Sequence, residues 1–515
     1  MTIRKAVFAI LDRRGTTRAC AAFVQRTLGK RHAGQLLLYS AGIVALLLLL
    51  ASWIAGVQRA EAELHPYYGS YERPELWETL ALADIFALVL LGIGLLVVVP
   101  AAIASSVAGE QRSGTLEQLR TTPLRPLGLL LGLVLGAPAR LYLICVGPLL
   151  LHLVAGLLGG TPLHAVLMPV LVLAVGGLAF GLVGAAVGLT QRGRGAMVTL
   201  GLAAISAITA LWSAAIAHSA LARWAFLHPW GAVHAQMLSE SELYRQITMG
   251  SYTAHYRFTD PDFVDALALA PLLALVLFGA ASVVIARASC RRLAAPQVPL
   301  LSKLQALMLY SLAAAAVVLP SLFDPPRQWD SAAGCAVACQ LLLLPFMTVL
   351  AALATPGHDL WAINLRRMRR PGAFSDEAPP HLLCLAMIGA YVVLTVPCFA
   401  SVSGSCNYLC HRMLAAAALG LVLTATLPIY IHFGASRFVS HRTRTAYVFG
   451  IIAHLGVQVA AVLLIAAGAI DGRDDGALEV MFVKLALTLA AAVPAWVLWR
   501  QRALRERTLA PVERC

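Results

Sequence analysis

The chain has 515 residues, of which 60% are hydrophobic and 12% charged, and it carries a formal net charge of +14. A soluble domain has roughly 25% charged residues, so half that share spread over long apolar runs excludes an ordinary soluble enzyme and points to a helical membrane protein. The positive balance does not imply a nucleic-acid partner, because the basic residues are distributed as membrane topology requires.

Residues 1–35 interleave Arg4, Lys5, Arg13, Arg14, Arg18, Arg26, Lys30 and Arg31 with Val7, Phe8, Ile10, Leu11, Phe23, Val24 and Leu28. This basic amphipathic pattern suits a helix lying on the anionic cytoplasmic leaflet; a partly disordered basic tail is the alternative. The first long apolar run starts near Leu36 and no small-residue cleavage site follows it, so it reads as a retained span rather than a signal peptide.

Apolar runs long enough to cross a hydrocarbon layer of about 30 Å recur at 36–57, 79–104, 136–158, 163–190, 196–217, 264–286, 304–323, 331–354, 381–401, 413–434, 446–470 and 479–499. They predict an all-α, polytopic integral membrane protein with about twelve transmembrane helices. Internal glycines and prolines, such as Gly176, Gly177 and Pro271, are tolerated because neighbouring helices re-satisfy the backbone. With the N-terminus inside, Lys and Arg concentrate in the segments that alternate to the cytosol, and Asp and Glu in the external loops. The opposite orientation inverts both biases, so both termini are expected in the cytosol.

The expected organisation is an interfacial segment 1–35, a six-span membrane domain 36–286, a basic cytosolic linker 287–303 with Pro296 and Pro299, a second six-span domain 304–499 and a basic tail 500–515. External loops are expected at 57–78 and 218–263; the second is long enough for one or two short interfacial helices. None of the cytosolic loops is large enough for a nucleotide-binding or catalytic domain. No G-x-x-x-x-G-K-[ST] sequence occurs, so the chain is expected to bind no ATP or other cofactor and not to be an enzyme.

The cytosolic stretch after the second span carries the functional signal. It reads Glu110-Gln111-Arg112-Ser113-Gly114-Thr115-Leu116-Glu117-Gln118-Leu119-Arg120-Thr121-Thr122-Pro123-Leu124. Thr115 is placed to cap a short helix, and Glu117 suits the positive end of its dipole. Leu116 and Leu119 share one face, and Pro123 ends the helix. Such a helix between two membrane spans suits the passing of a push from a docked partner.

Glu110, the run Gly114 to Leu119, Thr122-Pro123-Leu124 and Gly132 together resemble the coupling-helix signature of permease subunits of type-2 ATP-binding cassette exporters. The resemblance covers residues 1 to about 290, and its specific part is short. It implies that Glu110, Arg112, Gly114, Thr115, Leu116, Glu117, Leu119 and Pro123 dock a separate ATPase subunit, with Leu116 and Leu119 filling its groove and Glu110 and Arg112 pairing at the rim, that a second permease copy can complete the pathway, and that the chain sits in a bacterial inner membrane. Gln111, Arg112 and Leu133 depart from the family's usual charges, and six extra spans depart from its plan.

Other readings are a twelve-span secondary, ion-coupled transporter and a membrane-embedded transferase using the loop 355–380. The loop after span 2 lacks the G-x-x-x-D-R-x-G-R-R-like sequence expected of the first. Charged residues within spans are functional suspects by default: Asp84, Arg140 and Lys484, of which the two cations can snorkel. His152 and His454 read as hydrogen-bonded helix residues. His65, His218, His228, His234 and His255 read as solvated loop histidines, since their spacing matches no zinc site. Cys335 and Cys339 read as helix packing, and Cys406 and Cys410 as a short external loop, with or without a disulfide.

Overall fold

The computed structural model describes residues 34–57, 75–121, 125–158, 161–190, 261–296 and 298–323, with scattered positions in 228–233 and 347–393. Residues 1–33, the spans expected at 196–217, 413–434, 446–470 and 479–499, Pro123 and the cysteines at 335, 339, 406 and 410 lie outside the described residues. Among the described residues every regular element is helical. The helices are α1 Gly34–Val57, α2 Glu75–Ile93, α3 Val99–Arg112, α4 Thr115–Thr121, α5 Pro126–Leu131, α6 Ala139–Leu158, α7 Leu163–Thr190, α8 Pro261–Ala294 and α9 Lys303–Phe323. Five segments, Gly34–Val57, Thr79–Arg112, Ala139–Leu158, Leu163–Thr190 and Ala270–Ala294, are long and apolar enough to cross a membrane. The protein is a helical membrane protein. Two compact units meet in sequence between Ala295 and Pro296.

In the first unit, prolines and glycines set the packing. Pro100 has no N–H, so the carbonyl of Leu96 loses its α-helical partner. The turn before it, Gly94–Val98, widens into a π turn in which the Val99 N–H reaches the Gly94 carbonyl, joining α2 and α3 into one long rod. Against this rod lies α7, along a seam of glycines. Gly177 meets Leu95, Gly181 meets Ile103, Gly184 meets the Pro100 carbonyl, and Gly188 meets Val107 and the Ala104 carbonyl. A Cβ at Gly188 would come within 2.8 Å of Val107 Cβ. Small residues at helical spacing let two backbones approach, and close van der Waals contact replaces the hydrophobic drive that lipid does not provide.

A second proline is repaired from a neighbouring helix. Pro148 lies inside α6 and leaves the Ile144 carbonyl without its intrahelical donor. Buried Ser40 of α1 supplies one: its hydroxyl donates to the Ile144 carbonyl at 3.0 Å and accepts from the Gly147 N–H at 2.7 Å. Gly147 is needed because a Cβ there would strike Ser40. One hydroxyl thus fixes α1 against α6.

The second unit opens on a capping box. Ser302 N–H donates to Gln305 Oε1 at 2.9 Å, and Gln305 N–H donates to Ser302 Oγ at 3.2 Å, which satisfies two otherwise unpaired donors at the start of α9. Tyr310 and Lys303 of α9 are fully buried.

Candidate functional site

The stretch singled out by the sequence is a helix, a tight turn and a second helix. The rod continues past the expected span end at 104 to Arg112. Ser113 closes it: its N–H donates to the Gly109 carbonyl at 3.0 Å, and its hydroxyl donates to the Glu110 carbonyl at 3.1 Å. Gly114 then takes φ +73°, with nothing within 4 Å of a Cβ built there. The glycine is therefore required for its left-handed torsion and not for a close approach.

The Gly114 carbonyl accepts from the N–H groups of Glu117 and Gln118, at 3.1 and 3.3 Å. Gly114 thus holds the capping position, and the expectation that Thr115 caps the helix is corrected. Thr115 is the first helical residue, and its hydroxyl pairs with that of Ser113 at 2.7 Å. The helix α4 is described to Thr121, and the expectation that Pro123 ends it lies outside the described residues.

Leu116 is also reassigned. It is fully buried within its own unit, in a cluster with Val107, Leu130, Leu133, Leu189 and Leu293, and Leu119 packs partly against the same cluster. A side chain with no exposed surface has none to offer a partner's groove. These leucines seat α4 on the ends of α3, α5, α7 and α8. What α4 and the turn present to solvent is polar: Arg112, Ser113, Glu117 and Gln118 are exposed. Arg120 donates to Glu117 across one helical turn, a pairing absent from the sequence expectations.

A further tie holds the turn to the bundle. Gln111 Nε2 donates to the Leu189 carbonyl at 3.3 Å, in the last described turn of α7. Arg140 is exposed at the first turn of α6. Between these elements Pro126–Gly136 forms a short apolar helix whose Leu129, Leu130, Leu133 and Val134 are buried in the cluster.

Two histidines stand where spacing alone could not place them. His152 is buried and bonded to Asp84 and to the Val166 carbonyl, as a hydrogen-bonded helix residue should be. His228 is not a solvated loop histidine. Its ring lies edge-on to Phe180 and Phe278, with centroids 5.8 and 6.4 Å away. Neighbouring Pro229 presses on Gly176, and Ala232 and Val233 join the core with Leu96, Leu173 and Ala274. Part of the expected external loop therefore packs into the bundle. Among the described residues no group of His, Cys, Asp or Glu is placed to hold a metal ion. No protein-family model, curated protein or solved structure matches the chain.

Proposed function

We propose that the chain is the permease subunit of an ATP-binding cassette transporter, exporting its substrate with ATP hydrolysed by a separate ATPase subunit. The observation that carries this reading is the seated helix α4. Leu116 is buried in a core cluster that four membrane-domain helices share, while Arg112, Ser113, Glu117 and Gln118 remain on the outer edge. A seven-residue helix has no stability of its own, and this one is held in place with a polar face outward. That is what a part transmitting force from a docked subunit requires. In this reading the chain has about twelve spans, both termini in the cytosol and no cofactor of its own. It lies in a bacterial inner membrane and pairs with a second permease copy where one chain does not complete the pathway.

A variant of the exposed edge tests the reading without touching the core. Gln118→Trp adds bulk at an exposed position and should block docking by steric overlap. The full chain, purified from its native membrane, is expected to retain a Walker-motif ATPase, and Gln118→Trp to lose it with thermal stability unchanged. A wild-type chain that retains no such ATPase, or a variant that retains it in full, would sink the assignment. The ion-coupled transporter remains the second reading, because Asp84 and His152 form a buried polar pair among otherwise apolar helices.

A further inference from the structure

Asp84 on α2, His152 on α6 and the Val166 carbonyl on α7 lie in one line. His152 Nδ1 is 2.6 Å from Asp84 Oδ1, and Nε2 is 3.0 Å from the Val166 oxygen. The faces around them are apolar: Ala51 and Ala55 of α1, Leu82 and Ala83 of α2, Leu151 of α6 and Ala165 of α7 are all buried. The other titratable groups described on these helices are exposed or lie toward the far end of α6. On α1 the one titratable side chain is Tyr39, which is exposed. On α2 Glu75 and Glu78 precede Asp84 in sequence. On α6 Cys145, Tyr142 and Arg140 lie toward the other end, and Arg140 is about 18 Å along the axis from His152. On α7 His164 is exposed. Arg140 is the one Lys or Arg on α1, α2, α6 and α7, so no basic side chain on these helices is placed to neutralise an Asp84 carboxylate.

The hydrogen bonds fix the number of protons. A backbone carbonyl only accepts, so Nε2 carries a hydrogen. At 2.6 Å, Nδ1 and Oδ1 require a proton between them, on either atom, since two facing lone pairs would repel. With that proton the pair is neutral overall, as carboxylic acid beside imidazole or as carboxylate beside imidazolium. Without it, a carboxylate faces the bare Nδ1 and a net negative charge is left among apolar helices, which costs free energy that lipid cannot repay.

We infer that Asp84 and His152 form a proton-binding site inside the membrane domain, holding one proton between Oδ1 and Nδ1. The proton is exchanged at the margin of Asp84, whose side chain is 10% exposed where that of His152 is 1%. Release leaves carboxylate and singly protonated imidazole and passes the proton to solvent. Whichever ring nitrogen keeps its hydrogen, one of the two hydrogen bonds is then lost, to Asp84 on α2 or to the Val166 carbonyl on α7, so proton occupancy is linked to the contact of three helices.

The test uses the full chain in lipid nanodiscs at pH 8, well above the ordinary imidazole value of about 6.5. Infrared spectra should contain a carboxylic-acid band that Asp84→Asn removes, or ring-nitrogen NMR should contain a doubly protonated imidazole that His152→Gln removes. A carboxylate beside a singly protonated imidazole at pH 8 overturns the inference. A stability readout separates proton binding from mere packing. The side-chain amide introduced by Asp84→Asn can donate an N–H to Nδ1 without a titrating proton, so this variant should show a flat response at this site. The wild type gains stability from the bound proton, keeps it at lower pH and loses it as pH rises through release. An identical loss in Asp84→Asn overturns the inference as well.

Discussion

Leu116→Ala separates a core role from a docking role. The side chain is completely buried, in a core cluster that includes Val107, Leu130, Leu133, Leu189 and Leu293, so truncation leaves a cavity. Leucine truncations at enclosed sites cost about 2–5 kcal/mol. Because α4 has only seven residues and cannot hold itself together, the loss is concentrated in the seating of that helix. At the lower end of the range, about 2 kcal/mol, the constant for local opening rises about thirtyfold. Hydrogen exchange of the full chain in nanodiscs should therefore show residues 115–121 losing protection while the middle of α7 keeps it. Leu116→Met, which preserves volume, should cost less than about 1.5 kcal/mol. Both effects are expected without any partner present. Unchanged exchange in Leu116→Ala, with loss of ATPase retention alone, would mean that Leu116 faces the partner and that the packing described for α4 is wrong.

Two further outcomes follow from the proline and glycine contacts. Ser40→Ala removes the donor that replaces the missing Pro148 N–H, and is expected to cost about 1 kcal/mol, read as a lowered unfolding temperature. Gly184→Ala places a Cβ on the Pro100 carbonyl and should give little monodisperse protein; Gly181→Ala meets the end of Ile103 at 3.1 Å and should express near wild-type level. Equal yields from both glycine variants would contradict the seam.

Where apolar length decides the element, the runs at 36–57 and 163–190 fall on helices, and α7 begins at Leu163 as expected. Ends set by polar residues are less legible. Hydropathy places the end of the second span at 104, but Ser105–Arg112 continues the helix, because helical hydrogen bonding does not end where hydropathy does. Segment 136–158 reads as one span, whereas residues 132–136 form a π turn and the helix proper begins at Ala139. Within the turn, Thr115 is a good capping residue by type, but the positive φ of Gly114 moves the cap back one position. Two leucines on one face of α4 fit a partner's groove as well as the protein's own core. Periodicity gives a face and not what covers it, and burial decides for Leu116. Asp84 and His152 are 68 residues apart, and their pairing depends on the crossing of α2 and α6, which no local pattern encodes.

The glycine seam limits how a displacement of α4 could travel under the proposed reading. Leu116 belongs to a core cluster drawn from α3, α5, α7 and α8, so a push on α4 acts on that shared core. Along the seam, α3 and α7 touch backbone to side chain with no Cβ between them, and sliding either helix would drive Val107 or the Pro100 carbonyl into the other. The two helices should therefore move as one body. The softer places are the π turns Gly94–Val98 and Gly132–Gly136, where the regular hydrogen-bond ladder is already broken and bending needs no new loss. Gly94–Val98 divides α2, which carries Asp84, from α3, which leads to the docking turn. A bend there changes the position of Asp84 against His152 and disturbs only the end of the seam where Leu95 meets Gly177. The contact of Gly184 with Pro100 makes this division of rigid and flexible parts testable. If Gly184→Ala leaves the protein folded and its α3–α7 contact intact, the seam is not rigid and motion need not be confined to the π turns.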